Sequence, residues 1–216
     1  MEYKYFIFDL DGVLVHSEHL YTEAKKKVLD RHAIDTSSLD TSLYQGKTDT
    51  DFFRAMKQSF PQLKSSAEEL ALESEKIFKE ELYTQMRPMP GASEFILKLI
   101  DRGIAVANVT SATSLSQNFA LELLGVKDHF LVLVNANNVS EYKPSPVPYL
   151  TALKNIQVPA SECLVIEDTV SGVLSAKAAG LKVCGFGQSF PEDALRNAGA
   201  SLFAKTYDEL WKLVFS

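Results

Sequence analysis

Tyr5-Phe6-Ile7-Phe8-Asp9-Leu10-Asp11-Gly12 decides how the rest of the chain is read. Four apolar, mostly aromatic residues in a row suit a buried strand, and the acids running into a glycine mark its end and a turn. The stretch therefore predicts a strand that delivers Asp9 and Asp11 to its carboxyl end. Four further apolar runs follow, at Ile104 to Val109, Phe130 to Val134, Cys163 to Ile166 and Leu181 to Phe186. Their nearly continuous hydrophobicity is that of strands covered on both faces. Helical patterns over Ala92 to Asp101, Leu115 to Leu124, Val147 to Asn155, Val170 to Ala179 and Pro191 to Ala198 supply the crossovers. Gly103, Gly125, Gly180 and Gly199 stand behind four of them as stops. Strands alternating with helices predict an α/β fold with a doubly wound parallel sheet.

One long stretch breaks this rhythm. Between Ser17 and Met86 the pattern is helical near Glu18 to His32, Thr50 to Ser59 and Ser66 to Tyr83, with no convincing strand. It reads as an inserted α-helical unit whose aromatic residues Phe52, Phe53, Phe60 and Phe78 form its own core. Arg87-Pro88-Met89-Pro90-Gly91 closes it, because two prolines and a glycine cannot extend a helix and give a stiff, turn-rich connection. The expected division is a core of residues 1–16 and 87–216 and an insert of residues 17–86.

Composition narrows the classes of function. The 216 residues, 46% hydrophobic and 23% charged, can bury a real core, which excludes global disorder. A formal net charge of −6 gives no footing on a polyphosphate backbone, so no nucleic acid is expected as partner. Cys163 and Cys184 lack any metal-ligand spacing and read as buried, reduced thiols. An acid at position 9 interrupts the first apolar run, and no run approaches a membrane span, so no membrane association is expected and the compartment reads as cytoplasmic. Composition leaves the oligomeric state open.

In open α/β sheets, ligands bind in the crevice beyond the carboxyl ends of the strands. The residues that follow the strands here are Asp9 and Asp11, then Thr110 and Ser111, then Lys143 in Tyr142-Lys143-Pro144-Ser145-Pro146, and finally Glu167 and Asp168. Carboxylates crowded into one crevice repel one another unless a cation joins them, and an all-oxygen site suits magnesium. Lys143, Thr110 and backbone N–H groups opening the next helix would hold phosphate oxygens. The set is suited to phosphoryl transfer.

As an ordered set, Asp9-Leu10-Asp11-Gly12-Val13-Leu14, Thr110-Ser111, Lys143-Pro144 and Ile166-Glu167-Asp168 resemble the four motifs of the haloacid dehalogenase-like superfamily. Pro90-Gly91, Glu94-Phe95-Ile96-Leu97 and the run from Glu167 to Gly180 are similar to the branch that carries a helical cap after the first motif. That branch holds phosphoglycolate-type phosphatases, sugar-phosphate phosphatases and β-phosphoglucomutase. The resemblance implies a Rossmann-like core, with residues 17–86 as the cap that shuts out bulk water. It further implies a magnesium-dependent phosphatase acting on a small phosphorylated metabolite. Asp9 matches the nucleophile that forms an aspartyl-phosphate, and Asp11 the general acid/base, whose backbone carbonyl also serves the metal. Asp9 and Asp168 match magnesium ligands; Glu167 is either a further ligand or a residue bonded to one. Thr110 and Lys143 match the groups that hold the transferring phosphoryl oxygens, with Ser111 and Ala112 offering backbone N–H groups.

The chain departs from that pattern in places. Relatives commonly read Lys-Pro-x-Pro-Asp, whereas Val147 follows Pro146 here, which predicts an altered entry into the next helix with the charge at Lys143 intact. Tyr21 falls about where β-phosphoglucomutases carry a hinge histidine, and Gly46-Lys47-Thr48-Asp49 lacks the arginine their cap uses for a second phosphate. Both differences favour a phosphatase over a phosphosugar mutase, the nearest alternative. Gly46-Lys47-Thr48 is no phosphate-binding loop either, because position 41 holds Thr instead of glycine. Lys47 stays a candidate substrate contact, and would also be the lysine of a phosphonate-cleaving enzyme. His16, His19, His32 and His129 show no ligand spacing. A catalytically silent binding protein is the remaining alternative; it would be expected to have lost an acid that this chain keeps.

Overall fold

The computed structural model describes residues 3–37, 39 and 49–216. In chain order its main strands are β1 (Tyr5–Phe8), β2 (Val15–His16), β3 (Arg87–Pro88), β4 (Ala105–Val109), β5 (Phe130–Val134), β6 (Cys163–Glu167), β7 (Lys182–Phe186) and β8 (Leu202–Ala204). β5, β4, β1, β6, β7 and β8 form, in that order, one parallel sheet. The strand from Tyr5 to Phe8 thus takes a central place, where both its edges are paired. Register does the rest: Phe8 stands level with Asn108 on one side and Ile166 on the other, so the residues just beyond all three emerge at one end of the sheet.

Because side chains alternate along a strand, β1 feeds two layers. Ile7 joins Val109, Val165 and Val183 under α6 (Val147–Ile156) and α7 (Val170–Ala178), contributed by Tyr149, Ala152, Val173 and Ala176. Phe6 and Phe8 point the other way, where their rings meet Phe95 of α4 (Ala92–Asp101) edge-on at 5.9 and 6.2 Å. Phe215 of α9 (Tyr207–Phe215) stacks on Phe6 at 6.1 Å. All of Phe6, Ile7 and Phe8 are fully buried, each contributing about 1.5–3 kcal/mol of transfer free energy. The predicted doubly wound α/β architecture is the one observed. Gly103 and Gly180 lie just past the ends of α4 and α7 with φ of 73° and 80°, as expected of glycines that stop a helix.

The predicted strands and helices are all present, and apart from the last helix of the insert their ends shift by no more than one residue. α5 (Ser114–Leu123) starts one residue early because Thr113 caps it, accepting a hydrogen bond from the Ser116 N–H. α8 is shorter than expected, Glu192–Asn197. Two features correct the sequence reading. The Arg87-to-Gly91 connection is more than a turn: β3 pairs antiparallel with β2, and the Met89 N–H extends the ladder to the Leu14 carbonyl at 2.8 Å. β8 and α9 were not foreseen, although Thr206 caps α9 by accepting from the Glu209 N–H.

Contacts divide the chain into two compact units, Met1–His16 with Arg87–Ser216, and Ser17–Met86. The second contains α1 (Glu18–Arg31), α2 (Asp49–Ser59) and α3 (Ala67–Ile77), and no strand among its described residues. Phe52, Phe53 and Phe78 are buried in it, while Phe60, just past the end of α2, is half-buried. Tyr21 lies flat on Phe78, with ring centroids 4.1 Å apart. The helix expected over Ser66 to Tyr83 is α-helical only to Ile77, then widens into a π-helical stretch, Phe78–Leu82, and a 3-10 turn, Tyr83–Gln85. Ile77 and Leu82 are both buried, yet on an α-helix they would stand about 140° apart at roughly 100° per residue. The wider turn narrows that angle and brings both inward.

Candidate active site

Strand ends set the positions of the polar residues. Asp9 follows β1 and its N–H bonds the Ile166 carbonyl of β6 at 3.0 Å. Thr110 follows β4, with its N–H on the Val134 carbonyl of β5 at 2.9 Å. Glu167 is the last residue of β6, and Asp168 the next. Each of the four is at least nine-tenths buried.

Lys143 reaches into this group from the segment before α6, with its side chain 5% exposed. Its Nζ donates to Asp9 Oδ1 at 2.7 Å, to Glu167 Oε1 at 2.6 Å and to the Val109 carbonyl at 3.0 Å. All three ammonium hydrogens are thereby used. Burial disfavours the Lys143 ammonium, but the Asp9 and Glu167 carboxylates outweigh it and hold the amine pKa well above its ordinary value. Burial also pushes the Asp9 carboxyl up to about 8; Lys143 opposes this rise, while Glu167 and Asp11 add to it.

Glu167 is held from all sides. Besides Lys143, its Oε1 accepts from the Tyr149 hydroxyl at 3.0 Å, and its Oε2 accepts from the Thr169 N–H at 3.2 Å and the Thr169 hydroxyl at 3.1 Å. Burial, then the charge of Glu167, keeps the Tyr149 phenol protonated far above its usual range, so it remains a donor. The Tyr149 ring also lies under the Lys143 ammonium, 5.3 Å from Nζ to the centroid. α7 leaves room for the carboxylate only because residue 172 is glycine: a Cβ there would stand 1.8 Å from Glu167 Oε1.

A similar cradle surrounds Asp168. The Ser189 hydroxyl donates to its Oδ2, and a Cβ on Gly12 would fall 1.9 Å from the same oxygen. Gly12 meets two demands at once, since its φ of 74° also favours glycine. The turn is fixed from the far side by the buried Tyr207 hydroxyl of α9, which donates to the Val13 carbonyl at 2.7 Å.

Of the residues singled out from the sequence, Asp9, Lys143, Glu167 and Asp168 are brought together. Asp11 lies two residues on, half-buried where Asp9 is buried, and near enough for its charge to act on Asp9. Ser111 is exposed. The Ala112 N–H, expected to face a ligand, instead donates to Thr110 Oγ1 at 3.0 Å and so stiffens the loop. Lys47, with Gly46 and Thr48, lies outside the described residues. α6 lacks a capping acid, as expected; Ser145 Oγ accepts from the Val147 N–H at 3.4 Å in its place. Tyr149, Thr169, Gly172 and Ser189 were not foreseen. Thr169 alone carried a readable signal, as a capping residue before an apolar run.

Asp9, Glu167 and Asp168 each offer an oxygen, all within 4.8 Å of one another. Three buried carboxylates facing one ammonium are an acid-rich, oxygen-only donor set, which fits a hard divalent cation such as Mg2+.

A family model described as haloacid dehalogenase-like hydrolase matches residues 6–186. The chain belongs to that family. Among its relatives is the validoxylamine A 7'-phosphate phosphatase of Streptomyces hygroscopicus subsp. limoneus, 31% identical over 207 residues that cover 93% of each chain. Protein SUPPRESSOR OF QUENCHING 1, chloroplastic, of Arabidopsis thaliana is 30% identical over 202 residues; these cover 91% of this chain and 19% of that much longer protein. The crystal structure of a hydrolase from Pseudomonas syringae superimposes with a TM-score of 0.80 at 26% identity, covering 99% of this chain and 98% of the other. Among the described residues, no helix of this hydrolase is long and apolar enough to cross a membrane.

Proposed function

We propose that the protein is a Mg2+-dependent phosphatase that hydrolyses a small phosphorylated metabolite through an aspartyl-phosphate on Asp9. The observation that carries this reading is the convergence of Lys143 and two further buried carboxylates on the Asp9 side chain. Its similarity to a phosphatase of a phosphorylated small molecule supports the substrate class.

Asp9 would attack phosphorus in line, forming an O–P bond as the ester P–O bond breaks, and Asp11 would give its proton to the leaving alkoxide. Asp11 would then take a proton from the water that attacks the aspartyl-phosphate, releasing inorganic phosphate and the free Asp9 carboxylate. Thr110 and Lys143 would hold the phosphoryl oxygens, with Lys143 neutralising charge that builds on them. Mg2+, held by Asp9, Asp168 and the Asp11 carbonyl, with Glu167 as a further ligand or bonded beside them, would supply the positive charge that lets a phosphate dianion approach a carboxylate. Residues 17–86 would serve as the cap.

The test is release of inorganic phosphate from an aryl phosphate, followed by phosphoglycolate, sugar phosphates, glycerol phosphates and nucleotides ranked by kcat/KM. Activity should require Mg2+, vanish with a chelator and vanish in Asp9→Asn. Turnover that survives both treatments refutes the reading. A bisphosphate requirement with an isomeric product in place of released phosphate would make the protein a mutase.

A further inference from the structure

Three amide side chains are buried together on the Phe8 side of the sheet, just behind the strand ends. Asn108 belongs to β4, Gln117 to α5, and Asn135 follows β5; they are 0%, 1% and 6% exposed. Asn108 Nδ2 donates to the Phe8 carbonyl at 2.9 Å. Gln117 Nε2 donates to Asn108 Oδ1 at 2.6 Å and to the Val134 carbonyl at 3.2 Å. Asn135 Nδ2 donates to Gln117 Oε1 at 2.8 Å, and Asn135 Oδ1 accepts from the Asn137 N–H at 3.0 Å.

The bonds lead to functional positions. Phe8 immediately precedes Asp9. The Val134 carbonyl that Gln117 holds is the same one that receives the Thr110 N–H at 2.9 Å. Past Asn135, the Asn137 side chain accepts from the Ser114 N–H at 2.8 Å, and the Ala136 N–H donates to the Ala112 carbonyl at 2.9 Å. Gln117 is therefore the junction between the strand that carries Asp9 and the loop from Thr110 to Ser114.

Stability alone does not call for amides here, since a satisfied buried polar pair can often be exchanged for apolar groups of like shape at little cost. Directional bonds do fix where the connected backbones stand, and a misplacement of about 1 Å at a reacting centre can cost two orders of magnitude in rate. We propose that Gln117 is a positioning residue that sets the Thr110 loop against Asp9. The inference rests on the phosphatase reading of this site.

The experiment is a double-mutant cycle on kcat/KM for an aryl phosphate, using Gln117→Met and Thr110→Ala, with thermal midpoints recorded. Gln117→Met should lower kcat by about tenfold or more, within what such a misplacement costs. The decisive result is coupling: Thr110→Ala should cost at least about threefold less in the Gln117→Met background than in the wild type. Wild-type kcat/KM in Gln117→Met, or two losses that simply multiply, overturns the proposal. If Gln117→Met does not fold, Asn135→Ala, which removes the donor to Gln117 Oε1, takes its place in the same cycle: coupling to Thr110→Ala supports the proposal, and wild-type kcat/KM or independent losses overturn it. A wild-type protein that releases no phosphate overturns the phosphatase reading and this inference with it. Independent losses in an active enzyme overturn this inference alone.

Discussion

Gly172→Ala tests the account of Glu167 most severely. The substitution adds one methyl group inside α7 at a helical position, where alanine is favoured over glycine by about 0.8–1 kcal/mol. On helix propensity alone the protein should gain stability. Instead the new Cβ would lie 1.8 Å from Oε1, 1.9 Å from Cδ and 2.2 Å from Oε2 of Glu167, so the carboxylate must leave. An exposed carboxylate would swing aside cheaply. This one is fully buried and takes hydrogen bonds from Lys143, Tyr149 and Thr169. Displacing it separates the buried Lys143–Glu167 pair, a loss of about 3–5 kcal/mol that, less the helical gain, leaves roughly 2–4 kcal/mol of destabilisation. For a chain of this size the thermal midpoint should fall by about 5–15 °C, which differential scanning calorimetry resolves. Shortening the acid in Gly172→Ala/Glu167→Asp should restore part of the loss. A midpoint equal to or above the wild type in Gly172→Ala would refute the reasoning, because Glu167 would then be free to move.

Tyr149→Phe keeps the ring under Lys143 and removes the hydroxyl on Glu167; urea unfolding should report a loss of about 1.5–3 kcal/mol, the range for a bond to a charged group, and an unchanged midpoint would contradict that bond. Ser66→Ala removes a reciprocal cap, in which Ser66 Oγ accepts from the Glu69 N–H at 3.1 Å and Glu69 Oε2 accepts from the Ser66 N–H at 2.7 Å. Amide exchange in α3 should quicken in line with a loss of about 0.5–2 kcal/mol, and unaltered protection would dismiss the cap. Burial raises the thiols of Cys163 and Cys184 to about 11 and about 12, so a thiol-specific disulfide reagent at pH 8 should label neither until the chain is denatured. The same shifts set a pH dependence. Unfolded thiols ionise near 8.5 while the folded ones stay protonated, so stability is intact below that pH and falls above it, by up to about 1.4 kcal/mol per pH unit for each thiol. Replacing both cysteines with alanine should flatten that slope between pH 9 and 11, and an identical slope would rule the thiols out.

The sheet was legible because five of its six strands are nearly continuous apolar runs of four or more residues, and the acids at the strand ends were legible because parallel sheets send such residues to one crevice. β8 spans just Leu202–Ala204, too short for any period to declare itself. α9 could have been read from Thr206 and Glu209 ahead of Leu210 and Trp211. The supporting residues were hidden for another reason: their roles arise from partners distant in the chain. Ser189 is defined by Asp168, 21 residues away, and Gln117 by Asn135, 18 away. Gly172 looks like a blemish in a helix until the Glu167 carboxylate is seen occupying the space of its missing side chain. The widened turn at Phe78–Leu82 was equally unreadable, since no residue there marks a departure from ordinary helix geometry.

The hydrogen bond from Asn108 to Phe8 joins positions 100 residues apart, and 70 of the intervening residues are the helical unit Ser17–Met86. Closing the β1–β4 pair over such a span sounds expensive, yet ring-closure entropy grows only with the logarithm of length. Against a direct connection of 30 residues, the longer detour costs roughly 1 kcal/mol in the flexible-chain limit. A hydrolase with this topology can therefore lengthen, shorten or exchange what hangs between β1 and β4 almost without thermodynamic penalty, while the sheet that carries Asp9 stays as it is.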